Sequence, residues 1–209
     1  PNAYARSMYT GMEGSKFIGN VYEIDFGGAT AKKFIKIIES FDLKALGNSI
    51  PEKAGFFIES QSGVWNYVGS SMNTASGRVW GFIKTGGTYG LMVYDRTFID
   101  ITNHWSREDV EIIAAKQIIN GYDGKNYAPE RTVTRAEFAK MMVQALLNNP
   151  YYKMKMTDLA RPLFIDVNEK AWYRHYVDTA AYYNIIQGSG NALFRPEDPI
   201  TREEMAVMI

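Results

Sequence analysis

Thr134-Arg135-Ala136-Glu137 stands past the middle of the chain, and Thr201-Arg202-Glu203-Glu204 repeats its frame 67 residues later. A threonine followed three residues on by a glutamate is the pattern of a helix capping box, in which hydroxyl and carboxylate each serve an orphan amide of the first turn. Working outward, Trp105 and Trp172, Gly121 and Gly188, and Pro129 and Pro196 keep the same 67-residue interval. Phe98-Ile99-Asp100 matches Phe164-Ile165-Asp166 at 66, so one residue is inserted between Asp166 and Trp172. A fixed internal period marks a repeat architecture. A unit of this size cannot bury both faces of its helices alone, so neighbouring units must pack together.

After about Asp95 the period is helical. Val110, Ile113, Ala114 and Ile118 fall on one stripe, Ser106 with Asp109 predicts a capping box at its start, and Gly121 is expected as a left-handed C-terminal cap, with Gly188 in the same role. The second helix of the unit opens at Thr134 and places Phe138, Met141, Met142, Ala145 and Leu146 on one face, until Asn148, Asn149 and Pro150 stop it. Residues from about 148 to 162, Tyr151 and Tyr152 among them, form the connection to the second unit.

Between about Lys16 and Asp95 short aromatic and β-branched runs alternate with Gly, Ser and Asn clusters, which predicts strands over 17–26, 33–41, 55–59, 64–68, 78–84 and 91–94. Phe34, Ile37 and Ile38 also fit a helical spacing over 32–40; the strand is preferred. Two packed sheets are the economical answer, because a single antiparallel sheet would leave one aromatic face wet. The fold class expected is therefore α+β and multidomain, with a β-sandwich over 1–96 and mainly α-helical repeats over 97–150 and 151–209.

Composition removes several function classes. The 23 basic and 23 acidic residues cancel, so no long-range field draws in nucleic acid or an anionic bilayer. Cysteine is absent, which excludes disulfides, thiolate metal sites and thiol nucleophiles. His104 and His175 do not occupy equivalent offsets, and Asp123-Gly124-Lys125-Asn126 lacks the closing glutamate of a calcium loop, so it is read as a turn and no metal or cofactor is expected. No apolar run reaches the roughly 20 residues of a membrane span. No nucleophile elbow, phosphate loop or zinc-protease helix is present, so the chain is not expected to be an enzyme.

The doubled Thr-Arg-x-Glu frame, in this setting, resembles S-layer homology domains, and the resemblance runs from Phe98 to Ile209. Ser62-Gly63-Val64-Trp65-Asn66-Tyr67-Val68-Gly69 through Tyr94 is similar, more weakly, to the β-domain that often precedes such repeats. The resemblance implies three units folded as a pseudo-threefold spindle whose grooves bind pyruvylated secondary cell-wall polysaccharide, on a protein located outside the cell in the wall or S-layer. Here the second unit ends early in its second helix and the chain starts at Pro1 without a methionine, so it reads as a piece of a longer protein with incomplete grooves.

Arg135 and Arg202 lie in a helix first turn, where a cation opposes the macrodipole and calls for a compensating anion. That anion is either a carboxylate of the glycan, which the resemblance favours, or an internal partner. Trp105 and Trp172 either stack on sugars or, as is commoner before a helix, anchor a core. Asp100 and Asp166 either accept from sugar hydroxyls or fix the loop before the tryptophan. Thr134, Glu137, Thr201 and Glu204 are expected as caps, and Gly121 and Gly188 secondarily as points of close approach to ligand. The expected partner is cell-wall polysaccharide, held without catalysis. The rival readings are a self-associating module of a surface lattice and the anchor of an extracellular carbohydrate-active enzyme.

Overall fold

The computed structural model describes residues 11–149, 152 and 154–208. The expectations placed on Pro1, Pro150, Tyr151 and Ile209 lie outside these residues. The chain forms two compact units: one holds residues up to 128 together with Asn148 and Asn149, the other holds 129–147 and the residues after the connection. This division falls inside the first sequence repeat, whereas the repeat pattern alone places boundaries at 96/97 and 150/151.

In the first unit, strands β1 (Ser15–Ile24), β7 (Gly87–Tyr94), β3 (Ala54–Glu59) and β4 (Trp65–Tyr67) make one antiparallel sheet in that order. Strands β2 (Thr30–Ser40), β6 (Arg78–Thr85) and β5 (Ser70–Asn73) make a second. The predicted strands are all present with shifted ends, and 32–40 is strand. β5 was not predicted, because Ser70-Ser71-Met72-Asn73 carries almost no β-branched or aromatic signal.

Alternation along β6 buries Val79, Gly81 and Ile83. Val79 shares a core with Ile18, Phe56, Leu91 and Val93 from the four-stranded sheet. The opposite face of that sheet packs Phe57, Trp65, Tyr67 and Met92 in a second cluster. Phe17 meets Trp65 edge-on at 5.4 Å, and Phe57 meets Tyr67 in the same way at 5.4 Å.

Helix α1 (Arg107–Ala115) belongs to this unit and is tied to the sheets in two places. Gln117, just past the helix, accepts from the Tyr67 amide (2.7 Å) and donates to the Trp65 carbonyl (2.8 Å), so one side chain completes the open edge of β4. Lys53 donates to Glu111 (2.7 Å) and Asp95 (3.3 Å), while Thr97 (2.6 Å) and Arg107 (2.9 Å) also reach Glu111. Lys53 and Glu111 are both buried. The capping box expected at Ser106 and Asp109 is not formed: the Ser106 hydroxyl bonds to His104 Nδ1 at 2.8 Å instead. Asp123 accepts from the amides of Lys125 and Asn126 and from the Asn126 side chain, which confirms a turn; that side-chain bond, first among its causes, lowers its carboxyl to about 2.

The second unit packs α2 (Arg135–Leu147) on α3 (Arg174–Tyr182), with α4 (Arg202–Met208) contributing Met208 to the same core. The second helix of one repeat therefore lies on the first helix of the next. The fully buried stripe of α2 is Ala136, Ala139 and Val143; of the residues expected at 138, 141, 142, 145 and 146, Phe138 packs partly buried against the same core. Small side chains here and at Ala180 of α3 permit close approach of the two helices. Among the described residues no helix is long and apolar enough to cross a membrane.

Candidate functional site

The two repeats build one loop design from equivalent residues. Asp100 accepts from the amides of Tyr127 (2.9 Å) and Ala128 (2.6 Å), and Asp166 from those of Phe194 (2.9 Å) and Arg195 (2.7 Å). Two of the donating residues turn through the left-handed region at matched places, Ala128 at φ 61° and Arg195 at φ 58°. The Tyr127 amide, foremost among its causes, holds the Asp100 carboxyl below the usual carboxylate range. Both aspartates fix their loops.

Phe98 packs against Tyr127 with ring centroids 5.7 Å apart, and Phe164 against Phe194 at 5.4 Å. Gly121 and Gly188 lie beneath these pairs: a Cβ would stand 2.4 Å from Phe98 Cε1 and 2.7 Å from Phe164 Cε1, respectively. Their expected role as helix caps is corrected. The left-handed residues that close α1 and α3 are Gln117 and Asn184, both at φ 57°, and the glycines serve ring-to-backbone contact further along. Because Gly121 also has φ 76°, Gly121→Ala combines a clash with backbone strain. It is expected to cost about 1–3 kcal/mol, the scale of overpacking, and to lower the melting temperature measured by circular dichroism.

The Thr-Arg-x-Glu frames are reciprocal caps. Glu137 Oε2 accepts from the Thr134 amide at 2.9 Å while the Glu137 amide donates to Thr134 Oγ1 at 3.2 Å; Thr201 and Glu204 do the same at 2.9 and 3.1 Å. The remaining carboxylate oxygens are used differently. Glu137 pairs with Arg131, whereas position 198, the counterpart of Arg131, is an aspartate, and Glu204 pairs with Arg135.

Arg135 is only 4% exposed. Its guanidinium donates to the carbonyls of Phe194 (2.8 Å) and Gln187 (3.3 Å) and stacks over the Phe194 ring at 5.0 Å. The compensating anion demanded by its helix-end position is thus Glu204 of the following repeat, and the guanidinium is not presented to solvent. The Arg135 and Ala136 amides donate to the Asp198 and Pro196 carbonyls at 3.0 and 2.9 Å, so the first motif is clamped along the strand-like approach to the second. Arg202, by contrast, is exposed and has no ion pair among the described residues.

The tryptophans are the reverse case. Trp105 is 87% exposed and Trp172 57%, so neither is the core anchor that a tryptophan before a helix commonly becomes. Trp105 borders an open cleft of about 630 Å³ whose lining includes Lys53, Asp95, His104, Arg107 and Glu108. In the second unit an open cleft of about 600 Å³ is lined by Arg161, Phe164, Ile165, Asn168, Glu169 and Lys170.

Sequence reading passed over one repeated pair. Arg107 and Glu111 in α1 recur as Arg174 and Asp178 in α3, with N–O distances of 2.9 and 3.3 Å. The same 67-residue subtraction that revealed the motifs would have found it. Asp178 also accepts from the Leu163 amide at 2.9 Å, so this pair holds the entry of the second repeat.

Two copies of a helix–loop–helix unit, with matched loop clamps and a tryptophan exposed at the same position of each, define a tandem repeat module. The S-layer homology domain model matches residues 97–139 and 163–206. The chain thus carries two S-layer homology repeats in tandem. It is 30% identical over 193 residues to an amylopullulanase of Thermoanaerobacterium thermosulfurigenes, covering 91% of this chain and 10% of that protein. A match of that length runs into the β half. It is 32% identical over 115 residues to the S-layer protein sap of Bacillus anthracis, 54% of this chain and 13% of that one. It is also 26% identical over 114 residues to a cellulosome-anchoring protein of Acetivibrio thermocellus, 54% and 25% respectively. The chain spans about a tenth of the length of the first of these relatives. S-layer homology domains anchor surface proteins and enzymes to the cell wall, and the chain is accordingly of a cell-surface, cell-wall-associated kind.

Proposed function

We propose that this chain holds its parent protein to the wall noncovalently by gripping an acidic secondary polysaccharide, of the pyruvylated kind, without chemistry on it. The observation that carries the reading is the exposure of Trp105 and Trp172 at one position of the repeat. Large apolar rings kept in water twice over mark an interaction face, and an indole presents a flat surface on which a sugar ring stacks. Arg202, exposed at a helix start, supplies charge for a ketal carboxylate. Asp100, Asp166, Gly121 and Gly188 act indirectly by shaping the loops, and Arg135 by locking one repeat to the next. The shared core of the two sheets supports reading the β half as a closed sandwich.

Binding by purified wall polysaccharide is the direct test. Trp105→Ala with Trp172→Ala is expected to weaken retention about tenfold or more, the scale of one or two stacked rings. Removal of the ketal groups is expected to weaken it comparably. Equal retention of the intact polymer and the stripped one would defeat charge recognition.

A second reading has its own support. Ile99 and Ile165, also matched in the repeat, are both largely exposed, as is Val207. These apolar side chains suit self-association in a surface lattice. Concentration-dependent light scattering without polysaccharide favours that reading. The relatives named as an amylopullulanase and an endo-1,4-beta-xylanase support a carbohydrate-active enzyme as the cargo, and the S-layer relatives a lattice subunit.

A further inference from the structure

The outer face of the three-stranded sheet has a composition that a solvated sheet face does not need. Inward residues of β6 alternate with Arg78, Trp80, Phe82 and Lys84, which point the other way. Register places Ile38 of β2 and Ser71 of β5 on either side of Trp80, Lys36 opposite Phe82, and Asn73 beside Arg78. The Lys36 ammonium lies 5.3 Å from the Trp80 ring centroid, and the Lys84 ammonium 4.7 Å from that of Phe34. Ile38 is 46% exposed. Lys36, Ile38, Asn73, Ser76, Arg78 and Trp80 enclose a pocket of about 260 Å³.

Two features distinguish this face. Lys36, Arg78 and Lys84 all stand on it, while the acid nearest in the strands, Glu39, is buried on the inward side. In a chain whose charges balance at 23 of each sign, that is a local segregation of charge and not a reflection of composition. The pocket is also floored by an indole and edged by an amide and a hydroxyl, and its volume falls below the roughly 300–1,000 Å³ of drug-sized sites. It has the scale of one ring.

We propose that this face of the β half is a second glycan site, separate from the repeats, which takes a carboxylate-bearing sugar unit. The sugar ring lies against Trp80 and Ile38, its hydroxyls meet Asn73 and Ser76, and its carboxylate is paired by Arg78 and Lys36. Lys36 gives up its place over the indole to do so; that cation–π contact at a surface site is weak enough to exchange for an ion pair. A single-stranded nucleic acid offers charge and stacking too, but a cell-wall-associated chain with no net positive charge has little to recommend it as a partner.

The test uses the whole chain in affinity electrophoresis through gels containing polygalacturonate or its fully methyl-esterified form, which keeps the backbone and removes the charge. Retardation by the acid form and not by the ester is expected. Trp80→Ala and the double variant Lys36→Gln/Arg78→Gln are each expected to weaken the acid-form interaction about tenfold, the effect of one stacked ring or one charge-assisted pair. The double variant alters only exposed strand-face positions, so it decides the matter if Trp80→Ala fails to fold by circular dichroism. Equal retardation by acid and ester, or variants that migrate like the parent chain, overturns the proposal. Tighter Trp80-dependent binding to a single-stranded oligonucleotide overturns the assignment to a glycan.

Discussion

Replacing Arg135 with methionine is expected to destabilise the second compact unit by about 1–3 kcal/mol, the range for leaving a buried hydrogen-bonding group unsatisfied. The substitution keeps length and apolar bulk but leaves the Phe194 and Gln187 carbonyls without their donor and Glu204 without its cation. Glu204 remains partly in water, so most of the loss arises at the two carbonyls and in the packing over Phe194. Arg135→Lys is expected to recover less than half. An ammonium has the charge but not the planar fork that reaches a carboxylate and two carbonyls in different directions. Hydrogen exchange in α2 and α3 reads the effect locally, and unchanged protection there would show that the clamp is incidental.

The second large effect is expected at Lys53, and it carries a pH signature. Burial is the largest influence on Glu111 and pushes its carboxyl up, yet the combined donors Lys53, Thr97 and Arg107 outweigh it and leave the group below its ordinary value of 4.5. A carboxyl lowered on folding contributes stability that is complete above that ordinary value and is lost as pH falls through the lowered one. Lys53→Met removes the closest cation and with it two of the influences that lower the carboxyl, so Glu111 is expected to titrate at higher pH in the variant than in the parent chain. The variant is expected to lose about 3–5 kcal/mol at neutral pH. The deficit should shrink on acidification, because a protonated Glu111 is neutral and no longer demands the ammonium. Melting temperatures of the two proteins from pH 7 to pH 4 check this; parallel curves would mean that Glu111 does not titrate as described.

These two side chains show where sequence reading stops. Thr134 with Glu137 and Thr201 with Glu204 were legible as caps because both partners lie within one helical turn. The strands of the β half were legible from local composition, apart from the polar β5. The partner of Arg135 is Glu204, 69 positions away, and that of Lys53 is Glu111, 58 away. No local pattern names them. The two glycines were assigned as caps because glycine commonly follows a helix, and their true reason is an aromatic ring that arrives from Phe98 or Phe164. Exposure of the tryptophans was likewise invisible, since a tryptophan before a helix has the same sequence context whether it faces a core or water. Repeat arithmetic found the matched positions but not the seam between compact units, which depends on which helices pack.

The bond that Gln117 makes to β4 has a chemical corollary. Its carbamoyl group stands in for a missing strand, receiving at one atom and giving at the other. Deamidation exchanges that nitrogen for a second oxygen and turns an attraction toward the Trp65 carbonyl into a repulsion. Slow hydrolysis of one side chain, a form of molecular ageing on a protein exposed outside the cell, would unseal the border of the sheet and offer its bare peptide groups to another polypeptide.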